Sequence, residues 1–264
     1  MPYQTLSVQE HQGVYTVALN RPDKHNAMSF LMLRELISAA KMIEKNRSAR
    51  VVVIKGEGAS FSAGIDLNDL RDSKNRLWAA WQLIKPGQSL FQKAFLIWQS
   101  LPIPVIAVIH GHCFGAGMQL ALAADMRVCT PDASLCIMEG HWGLVPDMGL
   151  TRTLRGLLAA DVAKYLTMSA KKISAQQALD YHLLTAVSEH PLILAQQWAQ
   201  EFTARSPDSV LGAKRLIDSM VHSPRHALRQ EKIWQLKLLL GKNMPLAQKK
   251  SKDPEVQFKP RQYR

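Results

Sequence analysis

One acidic residue, Glu139, stands in a segment whose composition suits proton transfer. Within residues 134–147 it follows a short apolar stretch and precedes Trp142, Leu144 and Val145. A carboxylate removed from water by such neighbours has a raised pKa, which suits a general base. Local sequence leaves a second interpretation open, in which Glu139 is an exposed loop acid or one partner of an ion pair.

Two stretches of small residues could bring main-chain N–H groups close to a ligand. The first is Phe-Ser-Ala-Gly-Ile-Asp at 61–66, and the second is His-Gly-His-Cys-Phe-Gly-Ala-Gly at 110–117. Small side chains allow close approach of the backbone, and a helix beginning near Ala116 would present free N–H groups. Such amides suit a phosphate or a developing oxyanion. Neither stretch is a nucleotide-phosphate motif or a nucleophile elbow, and each alone is also typical of a structural turn.

A metal site is a weaker interpretation of the same region. His110, His112 and Cys113 are close in sequence, as metal ligands often are. Their spacing puts two side chains at most on one side of an extended segment, and no distant pattern supplies further ligands. We therefore predict no metal.

Short strands and helices alternate in the first half of the chain and must position these segments. The patterns predict strands at Val14–Leu19, Val51–Ile54 and Val105–Ile109, and a helix capped by Ser29 that runs to about Asn46. The second and third strands are continuous apolar runs, typical of strands buried on both faces. Strands separated by helices indicate parallel crossovers in an α/β core.

The second half is predicted to be mainly helical. Ser174–Gln177 forms a capping-box pattern, Ser206-Pro207 opens another helix, and residues 226–240 form a long apolar and basic helix. The simplest organisation is one α/β core over residues 1–200 with a C-terminal helical region over residues 201–264.

The composition is that of a globular protein with a basic surface. Hydrophobic residues make up 47% of the 264 residues, charged residues 20%, and the formal net charge is +12. This charge favours anionic partners, but no zinc-finger spacing or RNA-binding motif is present, so we expect no nucleic-acid function. Three cysteines, no secretory signal and no apolar run of about 20 residues predict a soluble cytoplasmic protein without membrane contact.

Together these segments resemble the enoyl-CoA hydratase/isomerase (crotonase) family over most of the chain. The matching stretches, in order, are Leu19–Pro22, Asn26–Ala27, Phe61–Asp66, Pro104–Ala107, His110–Gly111, Gly115–Ala121, Asp125, Met138–Glu139, Gly143–Leu144 and Pro146–Gly149. The resemblance implies an α/β fold, the ClpP/crotonase spiral of stacked ββα units with a C-terminal helical extension that completes a homotrimer or homohexamer. It also implies an acyl-CoA substrate and no tightly bound cofactor, because coenzyme A arrives as part of the substrate.

The resemblance also implies roles for individual residues. In the family two backbone N–H groups grip the thioester oxygen, and by motif position these belong to Ala63 and Ala116. Lys24 would face the phosphates of coenzyme A. The other residues implied to contact coenzyme A or the acyl group are Ala27, Ser62, Gly64, Ile65, Asp66, Leu67, Phe114, Gly115, Met138 and Trp142.

The chain departs from the hydratases of this family at position 119. Those enzymes carry two glutamates, and here one matches Glu139 while the other position holds Gln119, which cannot take up a proton. Asp147 lies where dienoyl-CoA isomerases of the family carry a second acid, although they have Asp in place of Gln119. Alternatively, Asp147 caps a helix beginning near Met148. Glu139, Asp147 and Gln119 are the candidate catalytic residues.

The sequence therefore predicts an enzyme that shifts a double bond in an enoyl-CoA through an enolate held in an oxyanion hole. The alternatives are an enoyl-CoA hydratase with Glu139 as its single acid/base, and a catalytically weak homologue that binds coenzyme A or RNA. Residues 68–98 could cover the acyl chain or could form an amphipathic helix that packs in the core. The residues concerned are Leu70, Leu77, Trp78, Trp81 and Leu83.

Overall fold

The computed structural model describes residues 3–69 and 71–264 of the chain. The strands are β1 (Leu6–His11), β2 (Val14–Leu19), β3 (Val51–Gly56), β4 (Val105–Ile109), β5 (His112–Phe114), β6 (Met126–Cys129), β7 (Ser134–Cys136), β8 (Ile173–Ser174) and β9 (Ala186–Val187). The helices are α1 (Phe30–Lys45), α2 (Ser73–Ile84), α3 (Leu90–Ser100), α4 (Ala116–Leu122), α5 (Leu150–Thr153), α6 (Ala160–Ser169), α7 (Ala175–Asp180), α8 (Pro191–Thr203), α9 (Pro207–Ser219), α10 (Pro224–Leu239) and α11 (Asn243–Lys250). None of the helices in these two ranges has the length and apolar character needed to cross a bilayer.

Six strands form the main sheet, in the order β1-β2-β3-β4-β6-β9, and β5-β7-β8 form a smaller one. The antiparallel β1–β2 hairpin closes at Gln12 and Gly13, whose φ angles of 51° and 81° are those that a two-residue hairpin turn requires. Every other pair in the main sheet is parallel. The predicted parallel crossovers are therefore confirmed.

The two central strands are buried on both faces. In Val51–Ile54 and Val105–Ile109 no side chain is more than 3% exposed. One face of the sheet packs in the larger core with α1 and α3, and the other packs against α8 through Ala195 and Ala199. Each buried Val or Ile side chain contributes about 1.5–3 kcal/mol relative to an exposed one, which holds β3 and β4 in fixed register.

Three of the predicted helix starts are confirmed by their caps. The Ser29 side chain accepts a hydrogen bond from the Met32 N–H at the start of α1. Ser174 forms a capping box at α7, and Ser206 caps α9 with Pro207 at the first helical position. These side chains satisfy N–H groups that the first turn of a helix leaves without partners.

A parallel bridge between Ser62 and Cys113 joins the segment after β3 to β5. Because β3 and β4 are adjacent and parallel, the segments that follow them leave the sheet at the same edge. The two small-residue stretches predicted from the sequence therefore lie side by side.

Asp208 fixes the C-terminal tail to α9. Its Oδ2 accepts from the Asn243 side chain at 2.7 Å, and its Oδ1 accepts from the Gln262 N–H at 2.6 Å. The predicted boundary between residues 200 and 201 falls inside α8, which packs against the sheet. The helical extension is therefore better placed after Thr203.

Candidate active site

Glu139 lies directly beyond β7, at the start of a 3₁₀ turn that spans Glu139–Trp142. Its Oε1 accepts a hydrogen bond from the Gln119 side-chain amide at 2.7 Å. Its Oε2 is buried and has no hydrogen-bond partner among the described residues. Burial raises the pKa of Glu139, and the nearby Asp147 carboxyl raises it further, while hydrogen bonds from main-chain N–H groups and from Gln119 oppose the rise. A half-buried carboxyl with one free oxygen is suited to proton transfer.

The side chains predicted to bury Glu139 are mostly exposed. Trp142, Leu144 and Val145 are 57%, 63% and 75% exposed. The carboxylate instead lies against Gly115, where an added Cβ would be 3.5 Å from Oε1. The raised pKa of Glu139 agrees with the prediction, and the turn before α4 contributes to its burial, whereas these three apolar side chains are mostly exposed.

Gln119 lies on α4 and is 1% exposed. Its amide nitrogen donates to Glu139, and its amide oxygen accepts from the Met148 N–H at 3.1 Å. A main-chain N–H can only donate, so the amide oxygen must face Met148 and the NH₂ group must face Glu139. The orientation of this amide is therefore fixed at both ends.

Asp147 is half-buried beside Glu139, and burial raises its pKa while its own N–H opposes the rise. The alternative prediction that it caps a helix is wrong, because α5 begins at Leu150 and has Gly149 at its N-cap, without a side-chain cap. The structure therefore brings Glu139, Gln119 and Asp147 together, as the sequence predicted.

Ala116 is the first residue of α4, and no acceptor for its N–H is present in residues 3–69 or 71–264. The preceding Gly115 takes the turn's positive φ of 49°, so the Ala116 methyl causes no strain at the turn. The Ala116 N–H is available to a ligand, in agreement with its predicted role.

Ala63 does not match its predicted role in the oxyanion hole. Its N–H donates to the His25 carbonyl at 2.9 Å, so this donor is already used inside the protein. The sequence could not reveal this bond, because His25 belongs to a different segment. The prediction that Ala63 grips a ligand oxygen is therefore wrong in this structure.

Ile65 carries a main-chain N–H group that is not used within the described residues, unlike that of Ala63. Met28 forms a parallel bridge with Ile65, since the Met28 N–H donates to Gly64 O at 2.7 Å and the Asp66 N–H donates to Met28 O at 3.0 Å. In this geometry the Ile65 N–H points away from Met28, and it has no acceptor in the described part of the chain. Sequence reasoning assigned Ile65 only a contact with coenzyme A.

Gly64 brings the two amides into one region. Its φ is 104°, and an added Cβ would lie 3.1 Å from Phe114 O and 3.8 Å from Ala116 N. A side chain here would separate the segment after β3 from the start of α4. Gly64 therefore allows the close approach predicted from the small residues.

Two residues predicted to contact coenzyme A are structural. Ser62 is fully buried, and its hydroxyl donates to Asn26 O at 2.9 Å. Asp66 is buried in an ion pair with Arg21 at 2.8 Å. Burial alone would raise the pKa of Asp66, but hydrogen bonds from Arg21 and Asn68 outweigh it and hold the pKa below its ordinary value. Neither side chain is free to meet a ligand.

Several other predicted contact residues remain accessible. Lys24 and Leu67 are exposed, and Ala27 and Met138 are partly exposed. Trp142 is exposed, whereas Phe114 is buried beneath the Lys172 ammonium group, 5.1 Å from its ring centre.

The residues proposed to cover the acyl chain take different positions. Trp78 packs against Phe30 and Phe91, so the core interpretation is correct for it. Leu77, Trp81 and Leu83 are 74%, 57% and 64% exposed. Leu70 lies outside the described residues.

A cavity of about 460 Å³ lies between α9, α10 and α11, and the residues that line it include none of the predicted site residues. Within the described ranges no group of three or more His, Cys, Asp or Glu side chains could hold a metal ion. We place the site at Glu139, because the free carboxylate oxygen and the free amides occur there and not at this cavity.

Known proteins resemble the chain in sequence and in structure. Residues 9–241 match the family Enoyl-CoA hydratase/isomerase. The mitochondrial Delta(3,5)-Delta(2,4)-dienoyl-CoA isomerase of Mus musculus is 36% identical over 250 residues, covering 89% of this chain and 75% of that protein. The structure superposes on enoyl-CoA hydratase from Bacillus anthracis with a TM-score of 0.88 at 27% identity, covering 97% and 99% of the two chains.

A protein of Thermobifida fusca, named as an enoyl-CoA hydratase and solved in complex with acetoacetyl-CoA, has a TM-score of 0.82 at 30% identity and covers 89% and 95% of the two chains. These likenesses agree with the resemblance seen in the sequence motifs. The chain is therefore an enzyme of the enoyl-CoA hydratase/isomerase family, with the α/β crotonase fold and its C-terminal helices.

Proposed function

We propose that this enzyme moves a double bond along the acyl chain of an enoyl-CoA by proton transfer at Glu139. The observation that carries the proposal is the Glu139 Oε2 atom, which is buried and without a partner while Oε1 is held by Gln119. A carboxylate with one anchored and one free oxygen can accept a proton at a defined position.

The reaction needs one base and one group that stabilises negative charge. Glu139 Oε2 takes a proton from the carbon next to the thioester carbonyl, and the C–H electron pair passes into the conjugated system, so that charge develops on the thioester oxygen. The proton then returns to a carbon farther along the chain, and the electron pairs shift to give the isomer. No atom is gained or lost.

The N–H groups of Ile65 and Ala116 are our candidates for holding the thioester oxygen. Both lack an acceptor in the described residues, and Gly64 brings their segments together. Removing one donor of such a pair typically costs about 2.7–4 kcal/mol of transition-state stabilisation. This assignment keeps Ala116 from the sequence prediction and replaces Ala63 with Ile65.

Asp147 supports a 3,5-dienoyl-CoA as substrate. A shift from the 3,5- to the 2,4-dienoyl isomer takes a proton from C2 to Glu139 and delivers one to C6 from a second carboxyl, Asp147. A proton must then pass from Glu139 to Asp147 to restore both carboxyl groups for the next turnover. The pKa of Asp147 is raised by burial, which favours its protonated, donating form. The 36% identity to a mouse enzyme named for this reaction points the same way.

Coenzyme A is proposed to enter as part of the substrate and to lie along the surface that exposes Lys24 and Leu67. The Lys24 ammonium group on this surface suits the phosphates of the ligand. The acetoacetyl-CoA complex of the Thermobifida fusca protein supports an acyl-CoA ligand at this fold.

Hydration of a 2-enoyl-CoA is the second candidate function. It is supported by the structural likeness to an enoyl-CoA hydratase at a TM-score of 0.88. Gln119 opposes it, because an amide cannot share with Glu139 the proton transfers that water addition requires.

Assays on one preparation separate the candidates. We expect conversion of 3,5-dienoyl-CoA and 3-enoyl-CoA to exceed hydration of 2-enoyl-CoA, and Glu139→Gln to lower isomerisation by about 10²–10⁴-fold. The matched control is Glu201→Gln, an exposed glutamate on α8, which should act like wild type.

Faster hydration than isomerisation would make the hydratase the better description. Binding of acyl-CoA with conversion of none of the three esters would instead favour the catalytically weak homologue.

We also infer that the chain self-associates, as a trimer or hexamer. Helix α10 exposes Leu228, Leu236 and Leu239 by 57%, 59% and 52%, and Leu240 after it by 78%. Several exposed leucines on one helix are typical of surfaces that a second chain covers.

A further inference from the structure

The Gln119 side chain links the two segments that carry the carboxyl groups. Its NH₂ group donates to Glu139 Oε1 at 2.7 Å, and its oxygen accepts from the N–H of Met148, the residue after Asp147, at 3.1 Å. Gln119 is 1% exposed and belongs to α4, which is buried throughout. One rigidly placed amide therefore touches the Glu139 carboxylate and the backbone next to Asp147.

An amide suits this position better than the acids that could replace it. The Met148 N–H group needs a hydrogen-bond acceptor, and Glu139 Oε1 needs a hydrogen-bond donor. The side chain between them must therefore carry both a donor and an acceptor. An ionised carboxylate at 2.7 Å from Glu139 would repel it, and the two acids would have to share a proton. Gln119 lets Glu139 remain ionised without adding a charge.

We propose that Gln119 is a positioning residue that fixes the separation of Glu139 and Asp147 and leaves Oε2 as the oxygen of the Glu139 carboxylate that takes a proton from substrate. The inference rests on the proposed isomerase function and deepens it. It makes Gln119 the residue that determines how far along the acyl chain the proton moves.

The two isomerisations depend differently on this separation. In a 3-enoyl-CoA the proton leaves C2 and returns to C4, and the electron pair of the double bond shifts by one position, so Glu139 alone can serve both carbons. In a 3,5-dienoyl-CoA the proton is removed at C2 while C6 receives one, and both double bonds shift. The second reaction needs Asp147 at a set distance from Glu139, and misplacement by about 1 Å can cost as much as 10²-fold in rate.

Two substitutions change these hydrogen bonds in different ways. Gln119→Met has similar length but neither donates nor accepts strongly, so both contacts are lost. Gln119→Glu retains an acceptor for the Met148 N–H but places a second acid against Glu139. The control is Gln196→Met on α8, where the native side chain is exposed.

For Gln119→Met we expect turnover of the dienoyl ester to fall by about 10–100-fold, with a smaller fall for the 3-enoyl ester and an unchanged KM for both. For Gln119→Glu we expect the acid limb of the pH profile to move to higher pH, because the paired acids share a proton. Gln196→Met should match wild type in every assay.

A titration of the Glu139 carboxyl by ¹³C NMR tests the geometry without turnover. The Gln119 hydrogen bond lowers the pKa of Glu139, so the pKa should rise in Gln119→Met and stay unchanged in Gln196→Met. An unmoved Glu139 titration, or an equal loss on both esters, overturns the positioning role. If wild type converts neither ester, the proposed function fails, and the titration still decides whether Gln119 sets the state of Glu139.

Discussion

At the scale of single residues, the site has two neighbouring carboxyl groups whose protonation should set its working pH. Burial raises the pKa of Glu139 and of Asp147, and each occupies a half-buried position. Catalysis needs the base form of Glu139, which exists above its pKa. For the 3-enoyl ester, which needs only Glu139, we therefore expect kcat/KM to be high near neutral pH and to fall as the pH drops through a value above the ordinary glutamate pKa of about 4.3.

The pH profile of kcat/KM on the 3-enoyl ester, recorded from pH 4 to 9, checks this prediction. Because the two carboxyls interact, the acid limb belongs to the pair and not to one residue. Full activity down to pH 4 would show that Glu139 ionises as an ordinary surface acid, and would remove the physical basis for its role as base.

The sequence predicted which side chains lie in the site, but it did not predict which main-chain N–H groups are free to bind a ligand. Glu139, Gln119 and Asp147 were predicted together, because acids and amides in a matching motif order are visible in sequence. Ala63 was wrong and Ile65 was missed, because the partner of an N–H group depends on how distant segments pair, here His25 with Ala63 and Met28 with Ile65.

At the scale of elements, α4 must lie directly against the segment that follows β3. Gly117 makes this contact possible, since an added Cβ would lie 2.7 Å from Ser62 Cβ and 2.9 Å from Ser62 O. We predict that Gly117→Ala pushes the two segments apart, lowers the unfolding free energy by about 1–3 kcal/mol and reduces turnover, because the Ile65 and Ala116 amides separate.

Denaturant unfolding and the isomerase assay together measure this effect. Gly87→Ala serves as control, because a Cβ there meets nothing within 4 Å, although its φ of 81° adds backbone strain of its own. Gly87→Ala should lose some stability and keep its activity. A fully active Gly117→Ala protein would show that the two amides do not depend on this contact.

The sequence predicted long elements well and short ones poorly. The helix caps at Ser29, Ser174 and Ser206 and the apolar strands β3 and β4 follow from local patterns. Strands β8 and β9 have two residues each and exist only because a neighbouring strand pairs with them. Periodicity within a single segment carries no information on such pairing.

At the scale of the whole molecule, the exposed leucines of α10 should hold subunits together. We predict that the protein sediments as a trimer or a larger assembly, and that Leu236→Glu combined with Leu240→Glu shifts it toward monomer, because a charge buried at an interface is costly. The control is Met42→Glu on α1, at a side chain that is 38% exposed.

Sedimentation velocity at several protein concentrations measures the assembly. A wild-type protein that stays monomeric at high concentration contradicts the prediction. The fold itself, with a parallel sheet followed by a helical extension, was predicted in outline. The oligomeric state depends on contacts between subunits, and hydrophobic patterns within one chain do not show which exposed surfaces make those contacts.

The bridge between Met28 and Ile65 has a consequence for how this enzyme can vary. The direction of the Ile65 N–H is set by backbone pairing on either side of it, so its chemistry does not depend on the isoleucine side chain. Replacing Ile65 with alanine would therefore leave this N–H donor in place and would not reveal its contribution. Replacing the amide at that position with a backbone ester removes the N–H group and would measure its contribution to activity. Natural or designed relatives could exchange the side chain at 65 to accommodate other acyl groups while keeping the proposed N–H donor to the thioester oxygen.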